Sequence, residues 1–240
     1  MNYKYYHYNS LASTQDKAKE FAQKGLSNIA VISDVQTKGR GRFKRKWTSS
    51  KGGLWVSILL KPENVENLQY LTFAAAVAVV KSIKKITGID TKIKWPNDVH
   101  FKGKKLCGIL TEGILGRENY VAVGIGLNVN QKKFPDSIKN SATSLNLIKH
   151  KTFDIKKLID LILNEFFILY GGDYIKNKSR NILKLWKKYS DTIGSDVKVI
   201  SKNGILEGNA IDIDSNGSLI LKTKNNQVCK IIEGDILVRY

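Results

Sequence analysis

"QTKGRGRFKRKW", residues 36–47, is the stretch on which the reading of this chain turns. It carries Lys38, Arg40, Arg42, Lys44, Arg45 and Lys46 and no acidic residue. Such a run is either an arm for nucleic acid or a loop shaped to hold one particular anion. Its neighbours place it in a fold. "NIAVISDVQ" before it and "GGLWVSILL" after it are short apolar runs that predict strands. The basic stretch is then a loop between two strands. Gly39 and Gly41 let its backbone approach a ligand and present amide donors, and Arg40 and Arg42 alternate with them. Arginine stays charged and forks two donors at a carboxylate or phosphate. The stretch is not the nucleotide loop G-x-x-x-x-G-K-[ST], and no G-x-G-x-x-G opens a helix after a strand. A flexible solvated loop is the plain alternative.

The charge around it says less than its size suggests. Lys plus Arg number 40 and Asp plus Glu 21, a formal net charge of +19. Six of the 40 are arginine (Arg40, Arg42, Arg45, Arg117, Arg180 and Arg239), and three of those fall in the quoted stretch. The lysines run from Lys4 to Lys230, often beside Asn and Ile, which is compositional bias more than a footprint on one face. Hydrophobic residues make up 42%, ordinary for a globular protein. No segment reaches the ~18 apolar residues of a membrane span. "MNYKYYHYNS" lacks the apolar core of a signal peptide, so a cytoplasmic protein without membrane association is expected. Cys107 and Cys229 are too few for a disulfide framework, and with three histidines they give no zinc spacing.

Outward from the loop, the first ten residues suggest a strand. "STQDKAKEFAQKG" predicts a helix, with Ser13 as cap, Asp16 as capping-box partner and Gly25 as its end. "ENLQYLTFAAAVAVVKSIKKITG" predicts a long helix ended by Gly88. "TKIKW" is a short strand stopping at Pro96, and "PND" is turn chemistry. "VHFKGKKLCGILTEGIL" predicts a hairpin about Lys102-Gly103-Lys104, and "NYVAVGIGLNVNQ" another strand. Residues 153–190 carry helical periodicity through Ile155, Leu158, Ile159, Ile162, Leu163, Phe166 and Phe167. After Ile193, five short strand-like runs separated by "KNG", "SNG", "KNN" and "EGD" predict a small β-barrel. The expectation is an α+β fold: a mixed, largely antiparallel sheet flanked by helices over 1–190, and a C-terminal barrel over 191–240.

Further candidates lie beyond the loop. In "KWPNDV", Lys94–Val99, Trp95 can pack while Asn97 and Asp98 point into a site or cap backbone groups. Lys105 stands at the start of an apolar strand, either snorkelling or aimed at an anion. Gly124 and Gly126 inside an apolar strand mark close approach of a ligand, or a bulge.

Taken in order, Ser13-Thr14-Gln15, "QTKGRGRFKRKW", "KWPND", "KKLCGIL", "GIGLNVN" and the terminal barrel resemble the biotin–protein ligase family over nearly the whole chain. The resemblance implies a fold like that of class II aminoacyl-tRNA synthetases and biotin ligases, with an SH3-like C-terminal barrel. It implies activation of biotin by ATP, with Mg²⁺, to biotinyl-5′-AMP and pyrophosphate. Biotin then passes to a lysine of a biotin carboxyl carrier protein or domain. By the same resemblance, Ser13, Thr14, Gln15 and Gln36 would line the biotin head. Arg40, Gly41 and Arg42 would hold the carboxylate and phosphate, and Lys105 would act beside them. Gly108, Gly124 and Gly126 would wall the biotin chain. Gly39, Arg40, Arg42, Arg45, Trp47, Asn97, Asn128 and Arg239 would serve ATP or the adenylate, and Asp98 the second step. No metal ligands are assigned.

The Ser13-Thr14 motif comes too early for the DNA-binding domain that some members carry, so a ligase without repressor function is implied. Monomers and homodimers both occur in the family. Two alternatives stand beside it. One is a lipoate or octanoate ligase or transferase of the same superfamily, which lacks this arginine–glycine loop in this form. The other is a basic nucleic-acid-binding protein, which predicts steeply salt-dependent DNA binding with no need for ATP.

Overall fold

The computed structural model describes residues 3–63, 67–114, 119–175, 179–201 and 204–238. Its larger sheet contains β1 (Lys4–Tyr8), β2 (Ile29–Ser33), β3 (Leu54–Leu60), β4 (Lys92–Lys94), β5 (Asp98–Phe101), β6 (Lys104–Ile114) and β7 (Tyr120–Leu127). These seven strands lie in the order β1-β2-β3-β7-β6-β5-β4. β1 runs parallel to β2 and every other pair is antiparallel, the mixed sheet the sequence led us to expect. The β5–β6 hairpin turns at Lys102 and Gly103, whose φ values of 49° and 75° are the left-handed pair a two-residue turn requires.

Side chains alternate across the sheet, and each face has its own cover. Ala30, Ile32, Leu54, Val56, Ile58, Val121, Val123 and Ile125 belong to the main core under α2 (Gln69–Thr87). α2 is apolar on nearly all sides because it is buried between the sheet and two further helices, α4 (Ile155–Leu169) and α5 (Ser179–Tyr189). It ends at Gly88, whose φ of 74° is the left-handed cap expected from the sequence. Phe73 of α2 packs on Trp186 of α5 with ring centroids 4.7 Å apart. On the opposite face, Ala18, Phe21 and Ala22 of α1 (Thr14–Gln23) cover Ile29, Val31, Leu59 and Ala122. α1 covers one end of that face.

Among the described residues of 153–190, α4 runs into a wider turn over Tyr170–Tyr174, which contains Gly171 and Gly172, and α5 starts at Ser179. A further short helix, α3 (Leu145–Lys149), was not anticipated. Ser144 caps it, accepting from Leu147 N at 3.1 Å and donating to Gln131 O at 2.6 Å.

The C-terminal strands are β8 (Asp196–Ser201), β9 (Gly204–Ile213), β10 (Leu219–Thr223), β11 (Val228–Ile231) and β12 (Asp235–Val238). They form a five-stranded antiparallel sheet in the order β11-β10-β9-β8-β12. Its inward side chains, among them Val197, Val199, Leu219 and Leu221, join the main core. Polar links fix the two parts together. Trp95 Nε1 donates to Gly217 O at 2.9 Å, Trp95 N to Thr192 Oγ1 at 3.0 Å, and Tyr70 Oη to Ser215 O at 2.9 Å. Among the described residues, no helix is long and apolar enough to cross a membrane.

Candidate active site

Where α1 leaves the sheet uncovered, the strand side chains shrink. On that face Gly108 lies opposite Gly126, Leu110 opposite Gly124, and Gly124 opposite Ser57. The registers run through these positions without a shift, so the glycines mark close approach and not a bulge. A Cβ on Gly126 would stand 2.5 Å from Trp47 Nε1, one on Gly108 3.2 Å from the Trp47 ring, and one on Gly124 3.1 Å from Gln15 Cδ. Loop 36–47 folds over this floor and encloses a cavity of about 280 Å³. Ser13, Thr14, Gln15, Gln36, Arg40, Gly41, Arg42, Arg45, Trp47, Asn97, Asp98, Lys105, Gly108, Gly124, Gly126 and Asn128 all line it. Gly39 does not line it. Gly39 is buried beneath the loop, where a Cβ would meet Ser49 Oγ at 2.5 Å and Trp47 O at 2.7 Å. Arg239 lies outside the described residues.

The loop holds its own shape. Gly41 N donates to Arg45 O at 2.8 Å, Trp47 N donates to Gly39 O at 2.9 Å, and Arg40 bridges Lys46. Phe43 and Lys44 take φ values of 53° and 58°, uncommon for side-chain-bearing residues.

One end of the cavity is a network of neutral amides and hydroxyls. Thr14 donates from N at 2.8 Å and Oγ1 at 3.1 Å to Gln36 Oε1, and Gln36 Nε2 donates to Ser49 Oγ at 2.8 Å. Ser57 Oγ donates to Thr14 Oγ1 at 2.7 Å. Gln15 Nε2 donates to Glu112 Oε2 at 3.0 Å, Leu110 O at 3.3 Å and Ala122 O at 3.4 Å. Its Oε1 is buried and has no partner among the described residues.

Arg40 is turned toward this end. Its NH1 pairs with Asp16 at 2.8 Å and Ser13 Oγ at 3.3 Å, while NH2 pairs with Glu112 at 3.1 Å. Burial works against its charge, but Glu112 and Asp16 outweigh that and hold the guanidinium above its ordinary pKa. Asp16 differs from expectation: Ser13 Oγ accepts from Asp16 N at 3.4 Å as a cap should, but the Asp16 carboxylate serves Arg40.

The other end is cationic. Arg42 NH1 donates to two neutral oxygens, Asn97 Oδ1 and Gly234 O, both at 3.2 Å, so its direct partners leave its charge uncancelled. Burial pushes its pKa below the ordinary value. Lys105 Nζ pairs with Asp98 Oδ1 at 2.7 Å and lies 5.2 Å from the centre of a Trp47 ring. Asn97 Nδ2 donates to Ile109 O at 2.8 Å, which fixes its Oδ1 toward Arg42. Arg45 is mostly exposed and pairs with Asp235 at 2.5 Å. Asn128 supports the wall: its Nδ2 donates to Thr143 O at 3.0 Å.

Several groups at the site escaped the sequence reading. Glu112 does not line the cavity but holds Gln15 and Arg40; it stands on the same face as Gly108 and Gly124, so strand alternation from Gly108 was the signal that could have found it. Asp235 and Gly234 reach the site from the C-terminal sheet, and Phe134, Ile138 and Ala142 form a wall from the segment before α3. Neither segment carries a local pattern that points to the loop.

Comparison with known proteins gives two family matches. The biotin/lipoate A/B protein ligase family matches residues 9–130, and the biotin protein ligase C terminal domain matches residues 192–239. The bifunctional ligase/repressor BirA of Bacillus subtilis is 41% identical over 233 residues, covering 94% of this chain and 71% of that one. The biotin--[acetyl-CoA-carboxylase] ligase of Mycobacterium tuberculosis is 31% identical over 222 residues, covering 88% and 79%. Among solved structures, biotin protein ligase from Aquifex aeolicus in complex with biotin and ATP superposes with a TM-score of 0.87 at 32% identity, over 98% of each chain.

Proposed function

The chain belongs to the biotin/lipoate A/B protein ligase family, and from that premise we infer that it is a biotin–protein ligase. One observation carries the reading furthest: a single cavity joins a hydrogen-bonding end at Thr14, Gln15 and Gln36, where Arg40 is paired with Asp16 and Glu112, to a cationic end at Arg42 and Lys105. Biotin has the same division, with a flat ureido head that donates and accepts and a chain that ends in a carboxylate. The glycine floor lets Gln15 and Trp47 pack close, as the walls beside the rings and chain.

The reaction proceeds in two steps. The biotin carboxylate attacks the α-phosphorus of ATP, forming biotinyl-5′-AMP and releasing pyrophosphate. A lysine amine of a carboxyl carrier protein or domain then attacks the acyl carbon and AMP leaves. The first step brings a carboxylate onto a polyanion, and fixed cations offset that repulsion. Lys105, oriented by Asp98, supplies one of those cations to the carboxylate and the α-phosphate. Arg42 adds charge held by neutral partners, so no ion pair has to break before it meets the anion. Positioning and electrostatics carry the catalysis, with no covalent enzyme intermediate.

Among the described residues no three His, Cys, Asp or Glu side chains gather as a metal cage. On the cationic side the lining carboxylates are Asp98 and Asp235, which would help hold a Mg²⁺ arriving with the triphosphate, and that ion would screen the phosphate charge. The chain divides near residue 190 into this catalytic part and a C-terminal unit of SH3-like barrel type. The C-terminal unit contributes Gly234 and Asp235 to the mouth of the site.

The test is incubation with ATP, Mg²⁺, biotin and a carrier domain, read as protein-linked biotin and as biotin-dependent ATP–pyrophosphate exchange. Transfer of biotin and not of lipoate is expected. Lipoate transfer alone would move the chain to the lipoate branch of its family. Retention on DNA at physiological salt without exchange would overturn the reading altogether.

A further inference from the structure

The geometry points to Glu112 as a positioning residue that sets which way the Gln15 amide faces, and so selects a ligand head with an N–H donor; this rests on the biotin-ligase reading. The amide of a glutamine can be placed either way round, and its surroundings choose. Here Nε2 faces three groups that only accept: Glu112 Oε2 at 3.0 Å, Leu110 O at 3.3 Å and Ala122 O at 3.4 Å. Reversing the amide would set Oε1 against all three. Oε1 therefore faces the Gly124 floor, which with Gln15 lines the cavity, 3.2 Å from where a Cβ on that glycine would stand. Gln15 is 4% exposed, and Oε1 has no hydrogen-bond donor among the described residues. A buried acceptor left empty costs free energy until a ligand donates to it. A ureido N–H meets that need, whereas the dithiolane ring of lipoate has no N–H.

Glu112 is the charged member of the three acceptors. It is also tied to Arg40 at 3.1 Å and Lys19 at 3.4 Å, which fix the carboxylate in turn. Two backbone carbonyls hold Gln15 by longer contacts. A side chain that could itself donate at position 112 would offer Oε1 a competing partner. Glu112→Gln keeps the shape and removes the constraint.

The experiment is biotin-dependent ATP–pyrophosphate exchange by the wild type, Glu112→Gln, Gln15→Leu and the double variant. Each is assayed with biotin and with biotin methylated on either ureido nitrogen. The wild type should use one of the two methylated forms at least ~10-fold less well than biotin. Glu112→Gln should raise the KM for biotin ~10-fold and shrink that discrimination, with kcat and the KM for ATP within about twofold. The double variant should be no worse than Gln15→Leu, since Glu112 acts through Gln15. Glu112→Thr, whose hydroxyl can also donate, carries the same test if melting curves show Glu112→Gln unfolded. An unchanged biotin KM and discrimination would overturn the inference. So would additive effects in the double variant, or equal changes in the biotin and ATP parameters, because each assigns Glu112 a general structural role. Absence of exchange by the wild type would instead overturn the ligase reading itself, and this inference with it.

Discussion

At the scale of the residue, the proposed site rests on the three floor glycines and on Arg42 and Lys105, and each can be tested singly. Gly126→Ala would set a methyl 2.5 Å from Trp47 Nε1, so the Trp47 ring has to move. That ring belongs to the loop and not to the core, so little stability is lost while the roof of the cavity shifts. Biotin-dependent exchange should fall by at least ~10-fold with the melting temperature nearly unchanged, readable by kinetics and calorimetry on one preparation. Lys105→Ala should lower adenylate formation by about 10²–10³, the usual effect of removing a charge aimed at a developing anion, in a protein that still melts cooperatively. The glycines and Lys105 could be read from the sequence, since alternation in an apolar strand makes small or charged residues stand out. The orientation of Arg40 could not. It depends on Asp16 and Glu112, the latter 72 residues away, whose two carboxylates are its charged partners.

At the scale of the element, caps and turns behave as local chemistry predicts, and they can be perturbed without touching the site. The Asp154 side chain accepts from Lys157 N at 3.1 Å and starts α4. Asp154→Ala should destabilise the protein by about 0.5–2 kcal/mol, measured by urea unfolding, and leave exchange activity unchanged. The β9–β10 turn offers a pH test. Asp214 Oδ1 accepts from Asn216 N at 2.8 Å and Ser218 N at 2.9 Å, and Lys230 lies 2.6 Å from Oδ2. Burial opposes the charge, yet Lys230 and the two amides outweigh it and hold the carboxyl below the usual carboxylate range. Its stabilising contribution is complete above the unfolded value of ~3.9 and is lost as pH falls through the lower folded value. Wild type and Asp214→Asn should therefore differ in urea midpoint near pH 6 and converge as pH drops below about 4. Long helices such as α2 were legible because burial on all sides writes a continuous apolar run. α3 was not, because five residues capped by Ser144 carry too little periodicity to rise above a loop.

At the scale of the whole molecule, the catalytic sheet and the C-terminal sheet meet at the mouth of the cavity. The joint is made by Trp95, Arg42 and Arg45, reaching Gly217, Gly234 and Asp235. Local patterns pointed to a larger mixed sheet and a later run of short strands but not to their joint, because none of these partners is close in sequence. The Arg45–Asp235 pair is largely exposed, so it contributes little to stability, about 0–1 kcal/mol. Asp235→Ala should leave the melting temperature nearly constant yet speed tryptic cleavage within Arg42–Lys46 in the unliganded protein. Biotin with ATP should slow that cleavage in both forms, and unchanged cleavage in the variant would count against the pair as a tether. The four tryptophans are also unevenly placed: Trp55, Trp95 and Trp186 are 0–1% exposed in the core, and Trp47 alone stands in the cavity, over Gly126 and beside Lys105. A ligand entering that cavity changes the surroundings of one indole and leaves the other three as a constant background. The unlabelled protein thus contains its own optical probe, and its intrinsic emission can follow filling of the site in real time.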